Sequence, residues 1–176
     1  MRGAGNREGE DLEQTDVKKY VIELLKSHNA LEQERKMLLY EQEQLEKLSE
    51  DETIESMTFA TGSGERVDSG DVSDKTVSIA LNYRQRHQEQ KAQALFEITS
   101  RIDWIEDTLR RLDFYIDGLA AHQASILRDY YFEGYTWREL QDLRGVTFKT
   151  LMKYRDEAVK ALAAKYGALQ KLGLLK

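Results

Sequence analysis

The chain has 176 residues, of which 40% are hydrophobic and 33% are charged, and it contains neither proline nor cysteine. The absence of cysteine excludes disulfide bonds and thiolate metal sites, and a proline-free chain rich in helix-forming residues predicts a largely helical protein. No apolar stretch approaches the length of a membrane span, and the first residues lack the apolar core of a signal peptide. We therefore expect a cytoplasmic protein that does not contact a membrane.

The net charge of −6 is unevenly distributed along the chain. Residues 1–117 contain 16 basic and 26 acidic side chains, a net charge of −10, whereas residues 118–176 contain 10 and 6, a net charge of +4. Such asymmetry indicates a nucleic-acid partner for the basic end. Many helical proteins show as much asymmetry, so the charge alone supports this hypothesis only weakly.

The N-terminal region predicts a disordered tail over residues 1–14 and a first long helix over residues 15–51. One apolar side chain recurs every seven residues in this helix, at Val17, Leu24, Leu31, Leu38 and Leu45. These positions form one column of a heptad, but the companion column is half polar, so the helix needs a partner to bury its leucines. The glycine, serine and threonine content of residues 52–73 predicts a flexible linker, with a short extended piece at residues 57–59.

A second long helix is predicted over residues 74–117. Apolar side chains alternate in its second half at spacings of three and four, at Leu95, Ile98, Ile102, Ile105, Leu109, Leu112, Ile116 and Leu119. This spacing is typical of a coiled-coil seam. Two seam-bearing helices joined by a linker predict an antiparallel hairpin within one chain, a homo-oligomer formed through the seam, or both.

Residues 118–176 predict three shorter helices, over about 120–132, 136–143 and 147–165. Thr136 and Glu139 have the spacing of a capping box, in which each side chain bonds to the backbone N–H of the other residue. Gly145 then supplies the unusual backbone conformation that a tight turn between helices requires. A short helix, a glycine turn and a longer helix form the layout of a helix-turn-helix. The predicted fold is therefore all-α, with a long coiled-coil-like N-terminal region followed by a three-helix module over residues 118–176.

The segment YTWRELQDLRGVTFKTLMKYRDEAVKAL resembles the helix-turn-helix of sigma factor region 4. The shared frame contains no gap and consists of Tyr135, Thr136, Glu139, Leu140, Gly145, Val146, Thr147, Leu151, Ala158 and Leu162. In its layout, and in the segment SDKTVSIALNY, the whole chain is similar to the ArpU-type and RinA-type phage late-transcription activators of Gram-positive hosts. The resemblance implies a sequence-specific regulator of phage or prophage late genes, acting in the bacterial host cell at a promoter or on RNA polymerase.

The resemblance also implies that the second helix of the motif enters the major groove of double-stranded DNA. The implied DNA-binding residues are Thr136, Trp137, Arg138, Arg144, Thr147, Phe148, Lys149, Thr150, Met152, Lys153 and Arg155. Lys149 and Lys153 can reach guanine acceptors or phosphates. Thr136, Arg138 and Arg144 fall where backbone contacts to DNA are common. Sigma factors usually have arginine where this chain has Phe148 and Met152. Because these two side chains are apolar, two interpretations are open for them: contact with thymine methyl groups, or packing on a partner protein.

Three interpretations of function remain open from the sequence: a transcription regulator, a DNA-packaging subunit similar to small terminase subunits, and a helical adaptor without nucleic acid. The serines and carboxylates fall in no nucleophile or paired-acid arrangement. His28, His87 and His122 lack metal-ligand spacing, and the segment GSGER lacks the remainder of a phosphate-binding loop. The sequence therefore predicts neither an enzyme nor a cofactor.

Overall fold

The computed structural model describes the backbone of residues 5–61 and 74–174, and the side chains of residues 16–47 and 85–174. Within these ranges the protein is all-α and contains five α-helices and no strand. The helices are α1 (Gly5–Thr61), α2 (Asp74–Asp117), α3 (Ala121–Leu127), α4 (Trp137–Arg144) and α5 (Phe148–Lys171), and a π-helical turn (Arg128–Phe132) lies between α3 and α4. Two long helices followed by shorter ones confirm the predicted fold class at this level.

Helix α1 is longer at both ends than the sequence predicts. It begins at Gly5 and ends at Thr61, so the predicted tail is corrected to helix over residues 5–14 and the predicted linker over residues 52–61. No proline interrupts these segments, and an interior glycine costs only about 1 kcal/mol relative to alanine, so an established helix propagates through them. Residues 1–4 and 62–73, which include the GSGER segment and the rest of the predicted linker, lie outside the described residues.

Helix α2 has the bounds that the sequence predicts, Asp74–Asp117. Five of the eight seam positions are buried, Ile102, Ile105, Leu109, Leu112 and Ile116, whereas Leu95, Ile98 and Leu119 are half-buried. Helix α1 contributes Val17, Val21, Leu24, Leu25 and Leu31 to the buried residues. The apolar spacing of α2 therefore identified the correct face of the helix. The described residues form two compact units, one running up to Gln33 and resuming at Asp107, and the other spanning Glu34–Glu106.

Ion pairs join α1 to α2 within the Glu34–Glu106 unit. Arg101 donates hydrogen bonds to both carboxylate oxygens of Glu34, at 2.7 and 2.9 Å, and Arg35 lies 3.7 Å from Glu106. The Arg101 guanidinium also lies 4.4 Å from the centre of the Trp104 ring. The long helices therefore pair within one chain here, which is one of the two arrangements that the seam predicted.

The other unit brings the first part of α1 and the end of α2 together with the C-terminal helices. The buried ring of Tyr166 in α5 packs edge-on against Tyr20 of α1, with centroids 5.7 Å apart, and against Tyr115 of α2, with centroids 5.3 Å apart. The Asn29 amide donates to the carbonyl of Phe132 at 2.8 Å, and the His28 ring stacks on the Phe132 ring at 3.6 Å. The C-terminal module therefore shares a core with residues from α1, which the sequence did not predict.

Across the described ranges, no helix combines the length and the apolar composition that crossing a membrane requires. The same residues contain no group of three or more His, Asp and Glu side chains that could hold a metal ion.

Candidate nucleic-acid interface

Helices α4 and α5 are separate helices joined by a tight turn at Gly145. This residue has φ 62° and ψ 29°, in the left-handed region, and its N–H donates to the carbonyl of Gln141 at 2.9 Å. No atom lies within 4 Å of the position that a Cβ would occupy, so the backbone conformation and not a lack of space favours glycine here. The turn ends α4 and allows α5 to begin three residues later.

Both helices begin at a threonine cap. The Thr136 hydroxyl accepts the N–H of Glu139 at 3.3 Å, and the Glu139 carboxylate accepts the Thr136 N–H at 2.8 Å and its hydroxyl at 2.7 Å. This is the predicted capping box, and its hydrogen bonds to the ionised carboxylate lower the pKa of Glu139. The Thr147 hydroxyl accepts the N–H of Thr150 at 3.3 Å. The caps fix the residue at which each helix starts.

The core beneath the turn is small and apolar. Ile126, Leu140 and Leu151 are fully buried there, one from each of α3, α4 and α5. Four partly buried side chains pack around them: Tyr130, Trp137, Val146 and Tyr154. Leu143 of α4 does not belong to this core and is 66% exposed. The buried side of α4 passes through positions 140 and 144, one turn apart, and position 143 lies off that line.

An aromatic chain connects the π-helical turn to the start of α5. The Tyr130 ring stacks on the Trp137 ring with centroids 3.9 Å apart and planes 21° apart. The Trp137 ring in turn contacts Phe148 edge-on, with centroids 6.4 Å apart. Trp137 and Phe148 are the first residues of α4 and α5, so this contact brings the beginnings of the two helices together. Phe148 is nevertheless 49% exposed.

Exposed cations lie on the first turns of α4 and α5. Arg138 and Lys149 are exposed, and the side chain of Lys153 is 70% exposed with its Nζ 3.9 Å from the Glu157 carboxylate. An exposed pair at this distance contributes little stability and leaves the ammonium group available to another anion. Lys149 and Lys153 therefore lie on the solvent side of α5, as docking on DNA requires.

Arg144 and Arg155, which the resemblance assigns to DNA contact, are held inside the module. Arg144 donates to the Ser125 hydroxyl at 2.8 Å and forms an ion pair with Asp129, and its side chain is only 25% exposed. Arg155 donates to the Tyr131 hydroxyl at 3.3 Å and also pairs with Asp156 at 3.2 Å. The two guanidinium groups thus tie α4 and α5 to α3 and the π-helical turn.

The predicted residues fall into two groups by surroundings. Those that face solvent or are only half-buried at the start of a helix are Thr136, Arg138, Thr147, Phe148, Lys149, Met152 and Lys153. Those engaged with other side chains of the module are Trp137, Arg144, Thr150 and Arg155. Sequence reasoning did not assign the supporting polar partners Ser125 and Asp129, because neither belongs to a local motif.

Comparisons of the chain with protein-family models, with curated proteins and with solved structures produced no match. The described residues therefore establish an all-α chain. Its C-terminal module contains two capped helices joined at a left-handed glycine.

Proposed function

We propose that the protein is a sequence-specific DNA-binding transcriptional regulator of phage or prophage late genes. The observation that supports this most strongly is the pair of capped helices joined at Gly145, with Lys149 and Lys153 exposed on the first turns of the second helix. In helix-turn-helix proteins the first residues of the second helix contact base edges in the major groove. Helix α5 would be that recognition helix.

The sigma-like frame supports the assignment because all of its residues except Tyr135 cap a helix, form the turn or pack in the interior. Thr136 and Thr147 cap their helices, and Gly145 adopts the left-handed conformation. The apolar members of the frame are fully buried at Leu140, Leu151, Ala158 and Leu162. Val146 is partly buried against the core beneath the turn, and Tyr135 is 43% exposed. The phage context itself comes from the resemblance to late-transcription activators.

Binding would depend on salt because the exposed cations neutralise DNA phosphates. Arg138, Lys149 and Lys153 form one exposed set on the module, while the acidic side chains outnumber the basic ones over residues 1–117. If each cation meets one phosphate, the logarithm of the binding constant should fall with the logarithm of salt concentration with a slope of about −3 per module.

Self-association is part of the proposal, through the Glu34–Glu106 unit. Five large apolar side chains among its described residues are exposed: Met37 (67%), Leu39 (44%), Tyr40 (60%), Phe96 (67%) and Trp104 (47%). A second copy of the chain would cover them, and linked modules would gain affinity through effective concentration. Light scattering would measure the oligomer. A dimer agrees with a regulator, whereas a ring of eight or more subunits would favour a DNA-packaging subunit.

The proposal is tested by a binding experiment with the full chain. Fluorescence anisotropy would measure affinity for duplex DNA from a late-promoter region and for scrambled DNA, at low and moderate salt. We expect Lys149→Ala combined with Lys153→Ala to weaken specific binding at least tenfold, since charge-assisted contacts are strong.

The matched control removes two lysines from the middle and the end of the same helix, Lys160→Ala with Lys171→Ala. Both are exposed, so the control variant loses the same charge without touching the first turns of α5. Equal losses in the two variants would mean that binding depends only on net charge. Absence of binding at low salt would favour a helical adaptor and refute the proposal.

A further inference from the structure

Two side-by-side rows of unlike chemistry run along the first two turns of α5. Phe148 and Met152 are four residues apart and form an apolar row, and Lys149 and Lys153 form a cationic row next to it. Phe148 is 49% exposed, although Leu151 beside it is fully buried. Met152 is half-buried, so the row is open to solvent mainly at Phe148, within the proposed recognition surface.

The Phe148 ring is held in place before any ligand arrives. It makes an edge-on contact with the Trp137 ring, with centroids 6.4 Å apart. The Trp137 ring is itself stacked on the Tyr130 ring, with centroids 3.9 Å apart. The Thr147 cap fixes the backbone at this position. Phenylalanine has only two side-chain torsions, so little conformational entropy remains to be lost when the ring meets a partner.

From this arrangement we infer that Phe148 and Met152 recognise thymine through its 5-methyl group, an inference that rests on the proposed function. In the major groove the thymine methyl is the apolar group, whereas the other base edges there present hydrogen-bond donors and acceptors. An apolar side chain against those polar edges would remove water without replacing its hydrogen bonds, which is unfavourable. The row thus selects thymine because it attracts the methyl group, and it disfavours the other bases because it removes water from their polar edges.

Duplex DNA, and not a protein surface, is the occupant because of the charges beside the row. Lys149 follows Phe148 directly and Lys153 follows Met152 directly. A ligand that places an apolar group beside two cations gains attraction when it carries negative charge close by, and DNA supplies that charge from the phosphates on either side of the groove. The preferred site should therefore contain thymine next to positions that the lysines anchor.

The experiment first selects binding sites from a random duplex library with the full-length protein. Each thymine of the selected site is then replaced by deoxyuridine, which removes only the methyl group, and affinity is measured by fluorescence anisotropy. We expect one or two positions at which the replacement weakens binding about fourfold, the value for removing one methyl-sized apolar group from an interface. At those positions the double variant Phe148→Ala with Met152→Ala should bind the thymine and deoxyuridine duplexes equally.

The control variant is Leu143→Ala, which removes a 66% exposed apolar side chain from the same module and should keep the preference for thymine. Equal affinity of the unaltered protein for thymine and deoxyuridine at every position overturns the inference and leaves the proposed function standing. Failure to select any site overturns the proposed function instead. A preference that survives in this double variant, and in Phe148→Ser with Met152→Ser as a second double variant, also overturns the inference.

Discussion

The ion pair between Arg144 and Asp129 is expected to stabilise the C-terminal module. Replacing Arg144 with methionine keeps the aliphatic length but leaves the Asp129 carboxylate without its guanidinium. The two side chains are 25% and 22% exposed, so this ion pair is intermediate between an exposed surface pair and a buried pair. Surface pairs contribute about 0–1 kcal/mol, whereas removing one partner of a buried pair costs about 3–5 kcal/mol. We therefore expect Arg144→Met to lower the free energy of unfolding by about 2 kcal/mol.

The assay is urea unfolding followed by circular dichroism, applied to Arg144→Met, Asp129→Asn and the double variant. The midpoint should decrease while the slope of the transition stays constant, because the surface exposed on unfolding does not change. We expect a coupling free energy of about 1–2 kcal/mol between the two positions, in the range measured for residues in contact.

A matched cycle on Lys153→Met and Glu157→Gln provides the control. These side chains are 70% and 45% exposed with their charged atoms 3.9 Å apart, so their coupling should stay below about 0.5 kcal/mol. A coupling for Arg144 and Asp129 no larger than this would refute the reasoning. Arg144 would then be free to contact DNA, as the sequence resemblance implies.

Three further predictions concern single positions. Gly145→Ala should lower the free energy of unfolding by about 1–2 kcal/mol in the same assay. The reason is that alanine is strained at a φ of 62°, although an added Cβ would meet no neighbouring atom. Tyr166→Phe should leave the melting temperature unchanged or raise it, because the buried hydroxyl has no hydrogen-bond partner among the described residues. Carbon NMR should give the Glu139 carboxyl group a pKa below 4.5, and Thr136→Val should raise that pKa. A lowered folded-state pKa means that the capping box contributes stability above pH 4.5 and loses it as the pH falls through that pKa.

The turn between α4 and α5 could be predicted because its signals are local. The capping box involves residues three apart, and the left-handed glycine lies directly after the helix that it ends. The buried part of the α2 seam was predictable for a similar reason, since a regular spacing of three and four identifies one face of a helix. Local hydrogen bonds and helical periodicity are properties that a linear sequence carries directly.

The roles of Arg144 and Arg155 could not be predicted because their partners are distant in sequence. Asp129 lies 15 residues from Arg144, and Tyr131 lies 24 residues from Arg155. A basic residue on a short helix has the same local pattern whether it faces DNA or a carboxylate of its own chain. The ends of α1 were mispredicted for a different reason: glycine and serine lower helix propensity only weakly, and no proline stops the helix.

The hydrogen bond from Asn29 to Phe132 joins groups 103 residues apart along the chain, and the ring contact between Tyr20 and Tyr166 joins groups still more distant. During synthesis, the apolar face of α1 at Val21 and Leu25 therefore leaves the ribosome long before the helices that cover it exist. Contacts of such high sequence separation require a large loop closure and slow folding. The core that α1 shares with α2 and α5 is thus completed only when nearly the whole polypeptide has been made, so a truncated chain would expose its N-terminal leucines and valines to chaperones and proteases.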